Sequence, residues 1–253
     1  MAHVHLNESR AKRTKQRKAS VCKNSSVELT AMGKHIVALV LFCLSAFLSC
    51  VCSFSFGSEI SFVTCGSVVK LLNVQHNVRL HSHDVRYGSG SGQQSVTGVT
   101  TVEDSNSYWS VRGTSGAGCH RGTPVRCGQN IRLTHVNTGR NLHSHYFASP
   151  LSSNQEVSAF GEDGEGDHLD EWTVLCGGSV WQRDESVRFQ HSATEALLSV
   201  TGEQYGRPIQ GQREVHAMTS SSQHSYWKAM EGVFMKPSET GPKDFSSSTH
   251  TEL

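Results

Sequence analysis

An all-β fold built on a threefold internal repeat is what this 253-residue chain predicts. Three observations predict it. After residue 60 no stretch carries helical periodicity, and short alternating runs are separated by clusters of Gly, Ser, Asn and Asp. Sequence landmarks then recur in one order. Leu80-His81-Ser82-His83 returns as Leu142-His143-Ser144-His145 and, degraded, as Leu198-Ser199-Val200-Thr201. Gln-led pieces follow each, at Gln94-Ser95-Val96-Thr97, Gln155-Glu156-Val157-Ser158 and Gln212-Arg213-Glu214-Val215. Last, each unit reaches a tryptophan, at Trp109, Trp172 and Trp227, spaced by 63 and 55 residues.

Each unit opens with a strand-like run: Val68-Val69-Lys70-Leu71, Ile131-Arg132-Leu133-Thr134 and Val187-Arg188-Phe189-Gln190. An open array of three such units would expose strand edges and need caps that the sequence lacks. Closure about a threefold axis removes the edges. The predicted architecture is therefore a β-trefoil at 58–235, with repeats at about 62–118, 126–178 and 180–233. One Trp and one Leu per unit are assigned to its core, where such residues are usually found.

Residues 1–57 form a basic N-terminal extension followed by a signal peptide. Eight Lys or Arg against two Glu give residues 1–35 a charge of +6, with no apolar pattern to fold around. Ile36–Ser58 holds no charged residue, and Lys34 precedes its apolar run IVALVLFCLSAFLSCVC, with small residues after it. That pattern reads as a signal peptide. Its length also suits a membrane anchor, and either form delivers the domain to the lumen. Met32 would start an ordinary signal peptide, which makes the first 31 residues an upstream extension. At the other end, the flexible tail 236–253 closes on His250-Thr251-Glu252-Leu253, similar to the signal that retrieves soluble proteins to the endoplasmic reticulum lumen. Thr251 stands where the commonest forms carry Asp.

Without the leader, residues 36–253 hold 15 basic and 20 acidic residues, a net charge of −5. Nucleic acid is not an expected partner of such a surface. Both N-x-Ser sequons, at Asn7 and Asn24, also fall in the leader.

Catalytic patterns are missing: there is no GxSxG elbow and no Cys–His signature, so no enzyme is expected. Residues two apart on a strand share a face, so His81/His83 and His143/His145 are each spaced to chelate. Yet no Cys or carboxylate stands at a zinc-like spacing beside them, and the third unit carries Ser199 and Thr201. These histidines are assigned to a shared polar binding surface, with no metal and no cofactor. The cluster Glu162, Asp163, Glu165, Asp167, Asp170 and Glu171 lacks the ligand order of a calcium loop and reads as solvated. Four cysteines lie in the leader region, leaving Cys65, Cys119, Cys127 and Cys176 for an oxidising lumen. In a trefoil the first and last strands of a unit lie side by side, which predicts Cys65–Cys119 and Cys127–Cys176.

The strings GSVVKLLNVQHNVRLHSHDVRYGSGSGQQSVTG, IRLTHVNTGRNLHSHYF, QEVSAFG, LLSVTGEQYGRPI and YWKAMEGVFMKPSE carry a further inference. Over about residues 57–237 the chain resembles the stromal cell-derived factor 2 family, built from three MIR motifs. That module is shared with protein O-mannosyltransferases and intracellular calcium-release channels. The resemblance implies a β-trefoil and a soluble lumenal protein without catalysis. It also implies work beside a lumenal J-domain co-chaperone and the ATP-driven chaperone BiP, keeping unfolded or misfolded clients from aggregating. The alternative is a lectin-like glycan-binding module linked to O-mannosylation. Tyr87, Tyr146 and Tyr205, one per unit, are its candidate stacking residues.

Overall fold

The structure is a computed structural model that describes residues 60–237. The N-terminal extension, the apolar run and the retrieval-like signal lie outside the described residues. Among those described there is no α-helix, and thirteen strands follow one another. They are β1 Val68–Asn73, β2 Val78–Arg86, β3 Gln94–Val99, β4 Trp109–Arg112, β5 Asn130–His135, β6 Asn141–Ala148 and β7 Gln155–Phe160. Then come β8 Trp172–Leu175, β9 Arg188–His191, β10 Leu197–Ser199, β11 Arg213–Glu214, β12 His216–Met218 and β13 Trp227–Val233. The predicted opening runs are β1, β5 and β9. Their β-branched and apolar residues suit a pleated, largely buried surface.

The strands form an all-β barrel. Antiparallel pairings run from β1 to β4, β4 to β5, β5 to β8 and β8 to β9. Val187, just ahead of β9, bridges to Trp227 at the start of β13. β13 then returns to β1, from Val68↔Val233 to Asn73↔Trp227. The path ends where it began. Closure of this kind is how a sheet loses its exposed edges. The pairs β2–β3, β6–β7 and β10–β12 join that ring through β1–β2, β5–β6 and β9–β10 and contact one another through β3–β7 and β7–β12.

Trp109, Trp172 and Trp227 are fully buried among Val69, Leu71, Val111, Leu133 and Phe189. Each indole contributes about 4 kcal/mol of apolar burial. Each also satisfies its N–H in the same way. Nε1 donates to the carbonyl of Leu80, Leu142 or Leu198, at 2.9 Å in every case. The fourth tryptophan, Trp181, is buried as well and packs edge-on to Phe189. Cys65 is bonded to Cys119 and Cys127 to Cys176, closing separations of 54 and 49 residues.

Candidate functional site

β2 and β6 each carry Leu-His-Ser-His, and each shifts register immediately afterwards. The shift falls between Ser82 and Arg86 against β3, and between Ser144 and Ala148 against β7. A bulge of this kind re-aims the side chains it contains. His83-Asp84-Val85 and His145-Tyr146-Phe147 occupy the two bulges.

The expected histidine surface needs correction, because the fold turns most of it inward. His81, His143 and His145 are buried and His83 is half-buried. Buried imidazoles need polar partners, and the fold brings them from a distance. His81 Nδ1 lies 2.7 Å from Asp104 Oδ2, and its Nε2 lies 2.8 Å from His83 Nδ1. His143 Nδ1 lies 2.9 Å from Asp170 Oδ1, and His145 Nε2 lies 3.0 Å from Glu156 Oε1. Burial opposes ionisation of Asp104, but hydrogen bonds from Ser107 and His81 outweigh it and hold the carboxyl below its usual range. His83 is pushed down, first by burial and then by neighbouring His81. The third unit has hydroxyls instead: Ser199 Oγ meets Ser225 Oγ at 2.9 Å.

The tyrosines divide in the same way. Tyr87 is buried, its hydroxyl 2.9 Å from the carbonyls of Val96 and Val157. Tyr205 is half-buried, with its ring 6.3 Å from that of Tyr87. Tyr87 is closed to a ligand, and Tyr205 is partly covered. Tyr146 does, at 84% exposure. Phe147 at 54% and Leu151 at 41% join it, two residues that spacing did not single out. The bulge aims Tyr146 outward. Phe147 leans on the His145 ring at 4.9 Å.

Two buried glutamates hold the loops beside this bulge. Glu156, on β7, accepts from the Ser91 hydroxyl and, at 3.2 Å, from the Ser91 amide. A Cβ at Gly90, where φ is +67°, would collide with that carboxylate. Glu214, on β11, accepts from the Leu151 amide at 2.7 Å and the Ser152 amide at 3.1 Å, with His216 Nδ1 at 3.3 Å. Burial opposes its charge, yet these donors with Ser149 bring its pKa down to about 2. The segment after the bulge is thus pinned by an ionised carboxylate.

His143, Asp167 and Asp170 form a group with metal-ligand atoms within 4.8 Å of one another. No carboxylate stands beside His143 in the sequence; a separation of 27 residues hides Asp170. Its carboxylate already accepts from Asn141 and from the Asp167 amide, while Asp167 caps the turn by accepting from Leu169. Those bonds account for the acids as a capping box. The acidic cluster is therefore partly structural and not wholly solvated, since Asp170 is fully buried.

Comparison with known proteins agrees with this frame. The family model for the MIR domain matches residues 70–224. Human stromal cell-derived factor 2 is 77% identical over 182 residues, covering 72% of this chain and 86% of that protein. The crystal structure of the SDF2-like protein from Arabidopsis thaliana is similar at a TM-score of 0.68 and 45% identity, over 69% of this chain and 98% of that one. The S. cerevisiae protein O-mannosyltransferase Pmt1-Pmt2 complex, bound to its sugar donor, matches at a TM-score of 0.61 and 25% identity. That likeness covers 71% of this chain and 27% of the other.

Proposed function

The chain belongs to the stromal cell-derived factor 2 family of MIR-domain proteins, and from that premise we propose that it is a non-catalytic subunit of a chaperone complex in the endoplasmic reticulum lumen. In this reading the barrel is a β-trefoil of three MIR motifs, which the three equivalent Trp-to-Leu hydrogen bonds support. A lumenal J-domain co-chaperone and a BiP-type chaperone are its partners, and unfolded or misfolded proteins are its clients. One observation carries the reading. The histidines and carboxylates that chemistry would need are buried against each other, while Tyr146 and Phe147 in the bulge and Leu151 on the pinned segment after it expose apolar side chains. Such a surface suits docking on a fixed partner, since a well-formed apolar patch marks a protein contact. In this reading it holds clients together with its co-chaperone and not alone.

Light scattering of a denatured client tests this. Suppression of aggregation is expected with protein and co-chaperone together, and its loss in Tyr146→Ser/Phe147→Ser. Full suppression by the isolated protein would place client holding in this chain, and mannosyl transfer by it would overturn the non-catalytic reading. Localisation has its own test: deletion of His250–Leu253 should send the protein into the medium.

A second reading keeps Tyr146 as a stacking platform for glycans, favoured by its exposure beside polar groups and by the likeness to the yeast mannosyltransferase. Saturable binding on a glycan array that disappears in Tyr146→Ala would establish it.

A further inference from the structure

A second surface feature lies outside the docking patch. Strand register brings two arginines to opposite sides of the end of β7. Arg86, the last residue of β2, stands opposite Gln94, which stands opposite Ala159 on β7. Arg140 immediately precedes Asn141, which pairs with Phe160. Arg86, Arg140, Gln93, Phe160 and Glu162 are among the residues that line one hollow of about 350 Å³, a volume within the range of small-molecule sites.

Hydrogen-bond donors predominate around this hollow. No hydrogen bond or ion pair engages either guanidinium among the described residues. Gln93 spends its Oε1 as an acceptor for the Ser158 hydroxyl at 2.5 Å, which leaves its amide N–H groups as donors. Glu162 also lines the hollow and is exposed, and it forms no ion pair with either arginine. Two unneutralised guanidiniums thus share one concavity. Arginine's planar fork matches a carboxylate or phosphate in bidentate fashion, and Ala159 and Phe160 contribute to the lining.

We propose that this hollow binds an organic oxyanion, a carboxylate or phosphate carried on a small apolar body. The site goes beyond the docking reading, since it uses neither Tyr146 nor Phe147. Three probes test it on the purified full chain: phenyl phosphate, N-benzoylglycine and the neutral methyl ester of the latter, followed by calorimetry and by NMR of the Ala159–Glu162 amides. At least one anion should bind saturably with a Kd of about 1 mM or tighter, weakening with salt, and the ester should not bind. Preference for one anion assigns the source as phosphate or carboxylate. Arg86→Gln/Arg140→Gln should weaken binding at least about tenfold with an unchanged melting midpoint, because neither guanidinium supports the fold. Arg86→Gln alone, at an exposed strand end, should already weaken it. Failure of both anions to saturate, or binding that survives the double substitution, overturns the proposal.

Discussion

The surroundings of Trp109 and Trp172 differ from those of Trp227, although the three indoles make the same bond. The carbonyl three residues before each tryptophan takes a side-chain donor. His135 Nε2 donates to Asn106 and His191 Nε2 donates to Leu169, each at 2.9 Å. At Trp227 the donor is Asn73 Nδ2, reaching the carbonyl of His224 at 2.8 Å. Since a carbonyl only accepts, both histidines carry their proton on Nε2. Their Nδ1 atoms face the hydroxyls of Thr138 and Thr194. Each imidazole also lies against its indole at a centroid distance of 5.0 Å. An amide and a neutral imidazole therefore perform one task, donating to a fixed carbonyl beneath a tryptophan. The frame is indifferent to which is used, but pH is not. Burial is the main cause that lowers the pKa of His135 and of His191, whereas Asn73 does not titrate. The first two settings are also closed by disulfides, and no disulfide bond closes the third among the described residues.

The largest effect should come from that last difference. Cys65→Ala/Cys119→Ala or Cys127→Ala/Cys176→Ala should each cost about 4 kcal/mol, because loops of 54 and 49 residues are released in the unfolded chain. Denaturant titration measures it; a loss near zero would mean the unfolded chain is already constrained there. Next, Trp109→Phe, Trp172→Phe and Trp227→Phe should each lose about 2 kcal/mol, from a missing hydrogen bond and an incompletely filled site. Equal losses are the point. A much smaller loss at Trp227 would show that the histidine settings carry the frame after all.

The pH dependence is smaller. In the unfolded chain His135 and His191 take up protons near their ordinary pKa of about 6.5. The folded protein resists until a lower pH. Stability is therefore lost as pH falls below about 6.5, at no more than about 1.4 kcal/mol per pH unit for each group, and levels off below the folded pKa. His135→Asn/His191→Asn should flatten the stability profile between about pH 7 and pH 5; parallel profiles would refute the assignment. The smallest effect concerns the turns beneath these residues. Asn77, Gly139 and Glu195 hold equivalent left-handed positions, at φ 51°, 66° and 59°. Their amides bond back to Asn73, His135 and His191. Only Glu195 is poorly suited to that conformation, so Glu195→Gly should raise stability by about 0.5 kcal/mol. Thermal melts would register a change of the opposite sign at once.

By itself the amino-acid order determined the features that local chemistry controls. Alternation of apolar and polar residues marked β1, β5 and β9, and the recurring tryptophans marked the core, because strand periodicity and burial preference are properties of a few adjacent residues. The order of the cysteines along the units pointed to Cys65–Cys119 and Cys127–Cys176, the pairs that are bonded. What the order could not display was the environment of each polar side chain. His81, His143 and Tyr87 look like surface groups until Asp104, Asp170 and the carbonyl of Val157 arrive from 23, 27 and 70 residues away. Tyr146 looks equivalent to Tyr87, yet it sits within the β6 bulge and faces solvent, whereas Tyr87 follows the matching bulge of β2 and is buried. Arg86 and Arg140 share no motif and meet only through the pairing of β2, β3, β7 and β6. Whether a group is buried, paired or exposed depends on its neighbours in space, and closing the barrel sets those neighbours at separations that no window of sequence spans.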